Sequence, residues 1–120
     1  MMTKTSTRAL TRVALLCWIT CVGALSIASA DDVAEGKMVA FDRKKGNCLA
    51  CHMIDGGSLP GNIGPPLLAM KARFPDKAVL RAQIWDSTAA NPNSIMPPFG
   101  KNRILTEKEV DLVTEYIYSL

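Results

Sequence analysis

Cys48-Leu49-Ala50-Cys51-His52 is the stretch that decides the fold of this chain. The pentad has the C-x-x-C-H form, in which two thiols three residues apart lie on one face of a helical turn. From there both thiols can form thioethers with the two vinyl groups of a haem, and the imidazole that follows can bind the iron. The pentad therefore predicts one haem c, attached through Cys48 and Cys51 and coordinated by His52.

Two other uses of a C-x-x-C pair fit this sequence less well. A thioredoxin-like redox pair is expected in a strand–helix–strand setting, and no such alternation is present. A zinc site needs further ligands, but His52 is the one histidine of the chain and the other cysteines, Cys17 and Cys21, lie near the N-terminus. We interpret those two cysteines as apolar filler of an export signal.

The N-terminus has the layout of a secretory signal peptide. Basic residues precede a mostly apolar run over residues 13–28, and Ala28-Ser29-Ala30 forms an A-x-A cleavage site. The run is shorter than the roughly 20 residues that a membrane-spanning helix needs. We therefore predict that residues 1–30 are removed during export to the periplasm and that residues 31–120 form one domain.

The charge balance of the exported part differs from that of the whole chain. The chain has 14 basic and 11 acidic residues, a formal net charge of +3. Lys4, Arg8 and Arg12 account for the excess, so residues 31–120 are formally neutral. Nucleic-acid binding requires a basic surface, and we expect neither a nucleic acid nor a membrane as a partner after the signal peptide is removed.

Helix signals dominate the rest of the chain, and neither a β-hairpin pattern nor a repeat is present. The predicted helices are one capped by Asp31 or Asp32 and ending near Phe41, a short one over residues 47–54, two over residues 67–74 and 77–86, and one after Thr106. Gly- and Pro-rich loops are predicted over residues 55–66 and 87–103. The fold class is therefore all-α, with few short helices and long loops around one covalent haem.

The last helix has the clearest local signals. Thr106 and Glu109 have the spacing of a capping box, and Leu105 and Val110 have the positions of a hydrophobic staple. These four residues predict that the helix begins directly after Thr106.

A methionine is the expected ligand on the second face of the haem iron, because the one histidine is already used. Met53 adjoins that histidine and cannot reach the opposite face, and Met38 is expected in the core. Met96 lies in Ile95-Met96-Pro97-Pro98-Phe99-Gly100, where two prolines fix the backbone in an extended path. We favour Met96 as the second axial ligand, with Met70 or an iron open to an external ligand as the alternatives.

Histidine and methionine ligation predicts electron transfer. This ligand pair raises the reduction potential relative to two histidines and fills both axial positions. Such an iron cannot bind dioxygen or peroxide unless the methionine leaves. We see no spare cysteine, histidine or paired carboxylates that would form a catalytic cluster, whereas a ligand-binding haem sensor would need an open iron.

Several blocks of the chain resemble the SoxX family of sulfur-oxidation cytochromes. They are Gly46–His52, Pro60–Leu67, Gln83–Asp86, Asn91-Pro92, Met96–Asn102 and Ile104–Thr106. The Gln-Ile-Trp-Asp and Met-Pro-Pro-Phe-Gly blocks in this order are more selective than the haem pentad. The resemblance implies a class I cytochrome c fold with His52 and Met96 as axial ligands. It also implies that Gly64-Pro65-Pro66 places a backbone carbonyl against the imidazole.

The resemblance also implies a partner and a reaction. SoxX-like chains pair with SoxA, a larger haem protein, and the complex couples thiosulfate to a cysteine of the SoxYZ carrier, an L-cysteine S-thiosulfotransferase activity. The reactive haem belongs to SoxA, so the resemblance implies an electron-accepting subunit without its own catalytic centre. A free-standing monohaem carrier without a fixed partner is the alternative.

Overall fold

The computed structural model describes residues 29–120, and within this range the chain forms helices and loops without β-strands. The elements in order are α1 (Ala30–Phe41), a 3₁₀ turn (Cys48–Ala50), α2 (Met70–Arg73), α3 (Lys77–Trp85), α4 (Ser87–Ala90) and α5 (Glu107–Ser119). The predicted all-α class is confirmed. Most of the predicted signal peptide, with Cys17 and Cys21, lies outside the described residues.

Helix α1 begins earlier than predicted. The Ser29 hydroxyl accepts a hydrogen bond from the Asp32 N–H at 3.1 Å, and the Asp32 carboxylate accepts one from the Ser29 N–H at 3.3 Å. This reciprocal pair is a capping box, which satisfies two N–H groups that the first helical turn leaves free. The prediction of Asp31 or Asp32 as the cap was therefore wrong, because Ser29 caps the helix and Asp32 is its partner in the first turn.

The first and last helices form the closest helix contact. Gly36 is buried at this crossing, and a Cβ atom added there would lie 2.0 Å from the Leu112 carbonyl oxygen. Glycine is therefore required for the two backbones to approach this closely. The rings of Phe41 and Tyr116 also meet edge to face, with centroids 6.0 Å apart.

Met38 points away from this contact. It is 67% exposed, whereas Gly36, Val39 and Ala40 are buried. The expectation that Met38 belongs to the core was wrong, because α1 presents its other face to α5.

Helix α5 begins as predicted. The Thr106 hydroxyl accepts from the Glu109 N–H at 3.2 Å, and the Glu109 carboxylate accepts from the Thr106 N–H at 2.9 Å. Leu105 and Val110, the two residues of the predicted staple, are 2% and 0% exposed. The capping box is confirmed, and it fixes the direction in which the chain enters the core.

Ion pairs join α3 to α5. Lys77 contacts Glu115 at 2.5 Å, and Arg81 contacts Asp111 at 2.6 Å. Because the residue numbers rise along one helix and fall along the other, the two helices run antiparallel here. Helix α3 is thereby held in place, and its C-terminal end leads through α4 to residues 94–101, which we call the Met96 segment.

Three predicted segments differ in detail. The helix expected over residues 47–54 is reduced to the 3₁₀ turn, and the one expected over residues 67–74 is reduced to α2. The loop expected over residues 87–103 begins with the one-turn helix α4. The helix over residues 47–54 does not continue because a distant loop donates hydrogen bonds to the backbone carbonyls that the longer helix would need.

The core joins the helices to the loops that carry the candidate ligands. Buried residues of α1, α3 and α5 form one hydrophobic cluster, which also contains Met70 and Phe99. Cys48, Leu49 and Met96 pack against this cluster as partly buried side chains. Among the helices of residues 29–120, none is long and apolar enough to cross a membrane.

Candidate haem-binding site

The C-x-x-C-H pentad forms a tight turn on the hydrophobic cluster. Cys48 opens the 3₁₀ turn, and its carbonyl oxygen accepts from the N–H groups of Cys51 at 3.2 Å and of His52 at 2.9 Å. Both cysteines are partly buried and are not joined in a disulfide. Burial raises the pKa of the Cys48 thiol to about 11, so the unreacted thiol is neutral at physiological pH.

A distant loop lies along the pentad and is held by three backbone hydrogen bonds. The N–H of Gly61 donates to Leu49 O at 2.7 Å, and the N–H of Gly64 donates to Cys51 O at 2.8 Å. In the third bond, the N–H of Leu67 donates to Met53 O at 2.9 Å. These bonds use the carbonyl groups that a longer helix would need, and they bring the Gly-Pro-Pro segment to the imidazole.

The His52 ring is fixed by this loop. Its Nδ1 atom lies 2.7 Å from the Pro65 carbonyl oxygen. A carbonyl can only accept, so Nδ1 carries the proton and Nε2 keeps its lone pair for a metal. A Cβ atom added at Gly64 would lie 2.4 Å from the ring carbon Cε1, so glycine is needed where the loop passes the ring.

A further contact holds the same loop from the other side. The Arg73 guanidinium donates to the Pro66 carbonyl oxygen at 2.8 Å and to the Met70 sulfur at 3.4 Å. Met70 itself is 1% exposed within the hydrophobic cluster. Its side chain therefore packs in the core, and its sulfur accepts a hydrogen bond from Arg73.

The Met96 segment is anchored to the end of α3 and to α4. The Ser87 hydroxyl donates to the Met96 carbonyl oxygen at 2.6 Å. Further along, Phe99 N–H donates to Ile84 O at 3.3 Å, and Gly100 N–H donates to the carbonyl oxygen of Trp85 at 3.2 Å. The methionine side chain is half-buried against the cluster that also receives Cys48.

An ion pair closes the far end of this segment. Lys101 contacts the Asp86 carboxylate at 2.8 Å, and the hydrogen bond from Lys101, followed by one from Thr88, lowers the pKa of that carboxyl group. Asp86 also accepts from the Thr88 N–H at 3.1 Å and so caps α4. The Met96 segment is thus bound through Met96 to Ser87 of α4 and through Lys101 to Asp86, the cap of α4.

The donor set fits a covalently attached haem. It comprises two free thiols in one turn, an imidazole whose Nε2 is free to coordinate, and a thioether on a separate anchored segment. Within residues 29–120 there is no group of three or more His, Cys, Asp or Glu side chains that could hold a metal ion. The residues present therefore suit haem iron.

Sequence reasoning did not find Ser87 or Arg73. Arg73 donates to a backbone carbonyl seven residues away and Ser87 to one nine residues away, and neither spacing is a recognised sequence pattern. A cavity of about 340 Å³ lies beside the pentad on the side of Phe41 and Leu49. Neither His52 nor Met96 lines it, so it is separate from the candidate ligands.

Comparison with known proteins agrees with this geometry. Residues 33–120 match the family model for cytochrome c. The chain belongs to the cytochrome c family. This cytochrome carries covalent haem c, the cofactor of the family, and Cys48, Cys51 and His52 have the spacing of its attachment motif. Its fold is that of a class I c-type cytochrome.

A curated relative is also similar to the cytochrome. It is an uncharacterized lipoprotein of Aquifex aeolicus (strain VF5), 34% identical over 76 residues. The match covers 62% of this chain, and the chain spans 37% of the length of that relative.

Proposed function

We propose that this cytochrome transfers electrons in the periplasm through one haem held by Cys48 and Cys51 and coordinated axially by His52 and Met96. The observation that carries this proposal is the 2.7 Å contact between His52 Nδ1 and the Pro65 carbonyl oxygen. It fixes the tautomer in which Nε2 is a metal ligand, and hydrogen bonding to the carbonyl makes the imidazole a stronger donor.

The residues of the chain perform distinct tasks in this proposal. When bound, the haem supplies an iron that accepts and releases one electron. The two cysteines fix its position through thioethers, His52 supplies a neutral nitrogen donor, and Met96 supplies a weak thioether donor that raises the reduction potential. With His52 and Met96 as its ligands, the iron would have no open position for a small oxidant, and electrons would pass to partners without bond formation.

The surroundings of the two candidate methionines favour Met96 over Met70. Met70 is almost fully buried among apolar side chains and its sulfur accepts a hydrogen bond from Arg73. Met96 lies on an anchored loop with a half-buried side chain. Moving Met70 to an iron would empty a core position, which typically costs several kcal/mol, whereas Met96 can act as a ligand without changing the core.

We further propose that the cytochrome is the small subunit of a SoxAX-type complex that oxidises thiosulfate. The support is the pair of selective sequence blocks, Gln83–Asp86 and Met96–Asn102. Contacts between these blocks include the ion pair of Asp86 with Lys101 and the backbone bonds to Trp85. Two blocks that are shared with SoxX-like chains thus form one structural unit around the candidate ligand.

The proposed reaction defines what this subunit must do. Joining thiosulfate to a cysteine thiol of a SoxYZ-like carrier forms a sulfur–sulfur bond and releases one proton and two electrons. The bond forms at the SoxA-like partner, whose haem takes the electrons. A monohaem subunit accepts them one at a time and passes them to a downstream acceptor. In this proposal the subunit contributes no catalytic residue to the reaction.

The periplasmic location is part of the same proposal. An A-x-A site precedes Asp31, and a curated relative is named a lipoprotein, a class that is exported. Both are compatible with a location outside the cytoplasm. Fractionation of the native host tests this point directly, since the proposal requires the haem-stained band of the mature mass in the periplasmic fraction.

Co-purification tests the subunit assignment. The chain is tagged at its C-terminus and isolated from the periplasm of the native host grown on thiosulfate, with an unrelated tagged periplasmic cytochrome as the control. A larger c-type cytochrome in equal amount, found only with this chain, supports the proposal. The pair must then reduce its haem when thiosulfate and a SoxYZ-type carrier are both added.

A monohaem protein that purifies without a partner contradicts the subunit assignment. The cytochrome would then be a free-standing carrier, and the ligand assignment would be unaffected. In that case thiosulfate would not reduce the haem of the purified protein, whether or not the SoxYZ-type carrier is added.

A further inference from the structure

We propose that Ser87 is a positioning residue whose buried hydroxyl holds Met96 at the haem iron. The inference rests on the proposed His52 and Met96 ligation and assigns a residue that keeps this ligation closed. Ser87 is not itself a ligand in this proposal, and its role is to limit how often the methionine leaves.

The contact is short, and its donor is a buried side chain. Ser87 is 0% exposed, and its Oγ atom donates to the Met96 carbonyl oxygen at 2.6 Å. Among residues 29–120, Ser87 and Thr114 are the two buried polar side chains. A hydroxyl in such a place needs its hydrogen bond, because an unpaired buried polar group is destabilising.

The two prolines after Met96 make this one bond important. Pro97 and Pro98 have no backbone N–H, so the chain cannot donate a hydrogen bond again until Phe99, whose N–H reaches Ile84 O at 3.3 Å. In the described part of the chain, the Ser87–Met96 contact is the one hydrogen bond that links residues 94–98 to α3 or α4. The Met96 N–H donates locally to the Ser94 hydroxyl at 3.3 Å, so Ser87 supplies the hydrogen bond that links the backbone of Met96 to the helices.

Helix α4 gives Ser87 a rigid position. The Asp86 carboxylate accepts from Thr88 N–H at 3.1 Å at the start of the helix and contacts Lys101 at 2.8 Å. Ser87 therefore binds Met96, while its neighbour Asp86 binds Lys101 further along the same segment. Its hydroxyl fixes the ligand-bearing residue, while Asp86 and Lys101 fix the segment beyond it.

Loss of the hydroxyl is expected to free Met96 without emptying the haem site. The methionine would leave the iron more often, because its backbone would no longer be bound to α4. A tenfold change in that opening equilibrium corresponds to ~1.4 kcal/mol, within the range measured for buried hydrogen bonds. Because this hydrogen bond stabilises the closed state and not the open one, its loss should leave the closing rate unchanged, and we expect Ser87→Ala to raise the opening rate about tenfold.

The test uses the purified holoprotein and two matched variants. Ser87→Ala and Thr114→Val each remove a buried hydroxyl that donates to a backbone carbonyl, that of Thr114 reaching Val110 O at 2.7 Å. The rate at which the ferric protein binds imidazole, measured at saturating imidazole, reports the opening of the methionine. The methionine-to-iron charge-transfer band and the unfolding midpoint are recorded for the same samples.

We expect Ser87→Ala to bind imidazole about tenfold faster than wild type and to lose part of the charge-transfer band. Thr114→Val should lose a similar amount of stability but keep the binding rate and the band of the wild type. Ser87→Cys, which keeps a weak donor, should lie between them and serves if the alanine variant does not fold. Equal rates in wild type and Ser87→Ala, or equal acceleration in both hydroxyl variants, overturn the proposal. A wild-type holoprotein without the band would instead overturn the Met96 ligation on which it rests.

Discussion

The imidazole of His52 and the carbonyl group of Pro65 form a hydrogen bond of 2.7 Å that joins the haem pentad to a loop 13 residues further along the chain. The loop is held there by backbone bonds at Gly61, Gly64 and Leu67. The proximal side of the site is therefore fixed by backbone atoms, and side-chain identity matters there mainly through the space that each residue occupies.

Gly64→Ala should disturb this proximal side. The added Cβ would lie within 2.9 Å of three atoms of the His52 ring, so the ring or the loop must move. We expect the holoprotein to lose about 1–3 kcal/mol of unfolding free energy, a typical cost of overpacking, and its Soret and reduction-potential values to shift. Asn62→Ala, at an exposed position of the same loop, is the control. Equal denaturation midpoints and potentials for the two variants would contradict the geometry around His52.

Glu109 should make the stability of the protein depend on acid pH. The ion pair with Lys45, followed by the hydrogen bond from Thr106 N–H, lowers the pKa of Glu109 from 4.5 to about 2. A depressed carboxyl pKa stabilises the folded state fully above the unfolded value, and this contribution is lost as pH falls through the folded value. The unfolding free energy should therefore decline between about pH 5 and pH 2.

Two variants separate the charge of Glu109 from its capping role. Gln can replace Glu in a capping box, so Glu109→Gln should keep the helix start and flatten the pH dependence in this window. Glu109→Ala should also lose about 1 kcal/mol at neutral pH, as capping residues usually do. Glu107→Gln, at a position where the side chain is 75% exposed, should leave the curve unchanged, because exposed ion pairs contribute little. An unaltered slope in Glu109→Gln would refute the assignment.

The N-terminus of the exported protein should be Asp31. Cleavage after Ala30 removes Ser29, whose hydroxyl caps α1 in the full chain, and leaves Asp31 and Asp32 in the first turn, where acidic side chains are favourable. Intact-mass analysis of the periplasmic holoprotein measures this directly. A chain that retains Ser29, or one with a lipid on Cys17 or Cys21, would show that the predicted cleavage site is wrong.

The sequence was sufficient where local chemistry decides the structure. The Thr106–Glu109 capping box lies within one helical turn and was predicted to the residue. The pentad was recognised because its spacing has few other uses, and the resemblance to SoxX-like chains supplied the carbonyl contact that Pro65 makes. Each of these features depends on residues near one another or on a family pattern.

The sequence was insufficient where distant segments compete for the same atoms. A helix over residues 47–54 was reasonable from local preference, but Leu49 and Cys51 give their carbonyl groups to Gly61 and Gly64. Met38 is one of the apolar residues of the first helix, and only the position of α5 decides which of them are buried. Ser87 had no pattern at all, since its partner is a backbone carbonyl nine residues away.

The optical spectrum of two methionine variants tests the central claim most directly. Met96→Ala and Met70→Leu are prepared as holoproteins, and the ferric charge-transfer band and the binding of carbon monoxide to the ferrous form are compared with wild type. If Met96 is the axial ligand, Met96→Ala loses the band and binds carbon monoxide readily, whereas Met70→Leu keeps the wild-type spectrum. Loss of the band in Met70→Leu but not in Met96→Ala, or carbon monoxide binding by the wild-type protein, would contradict the account.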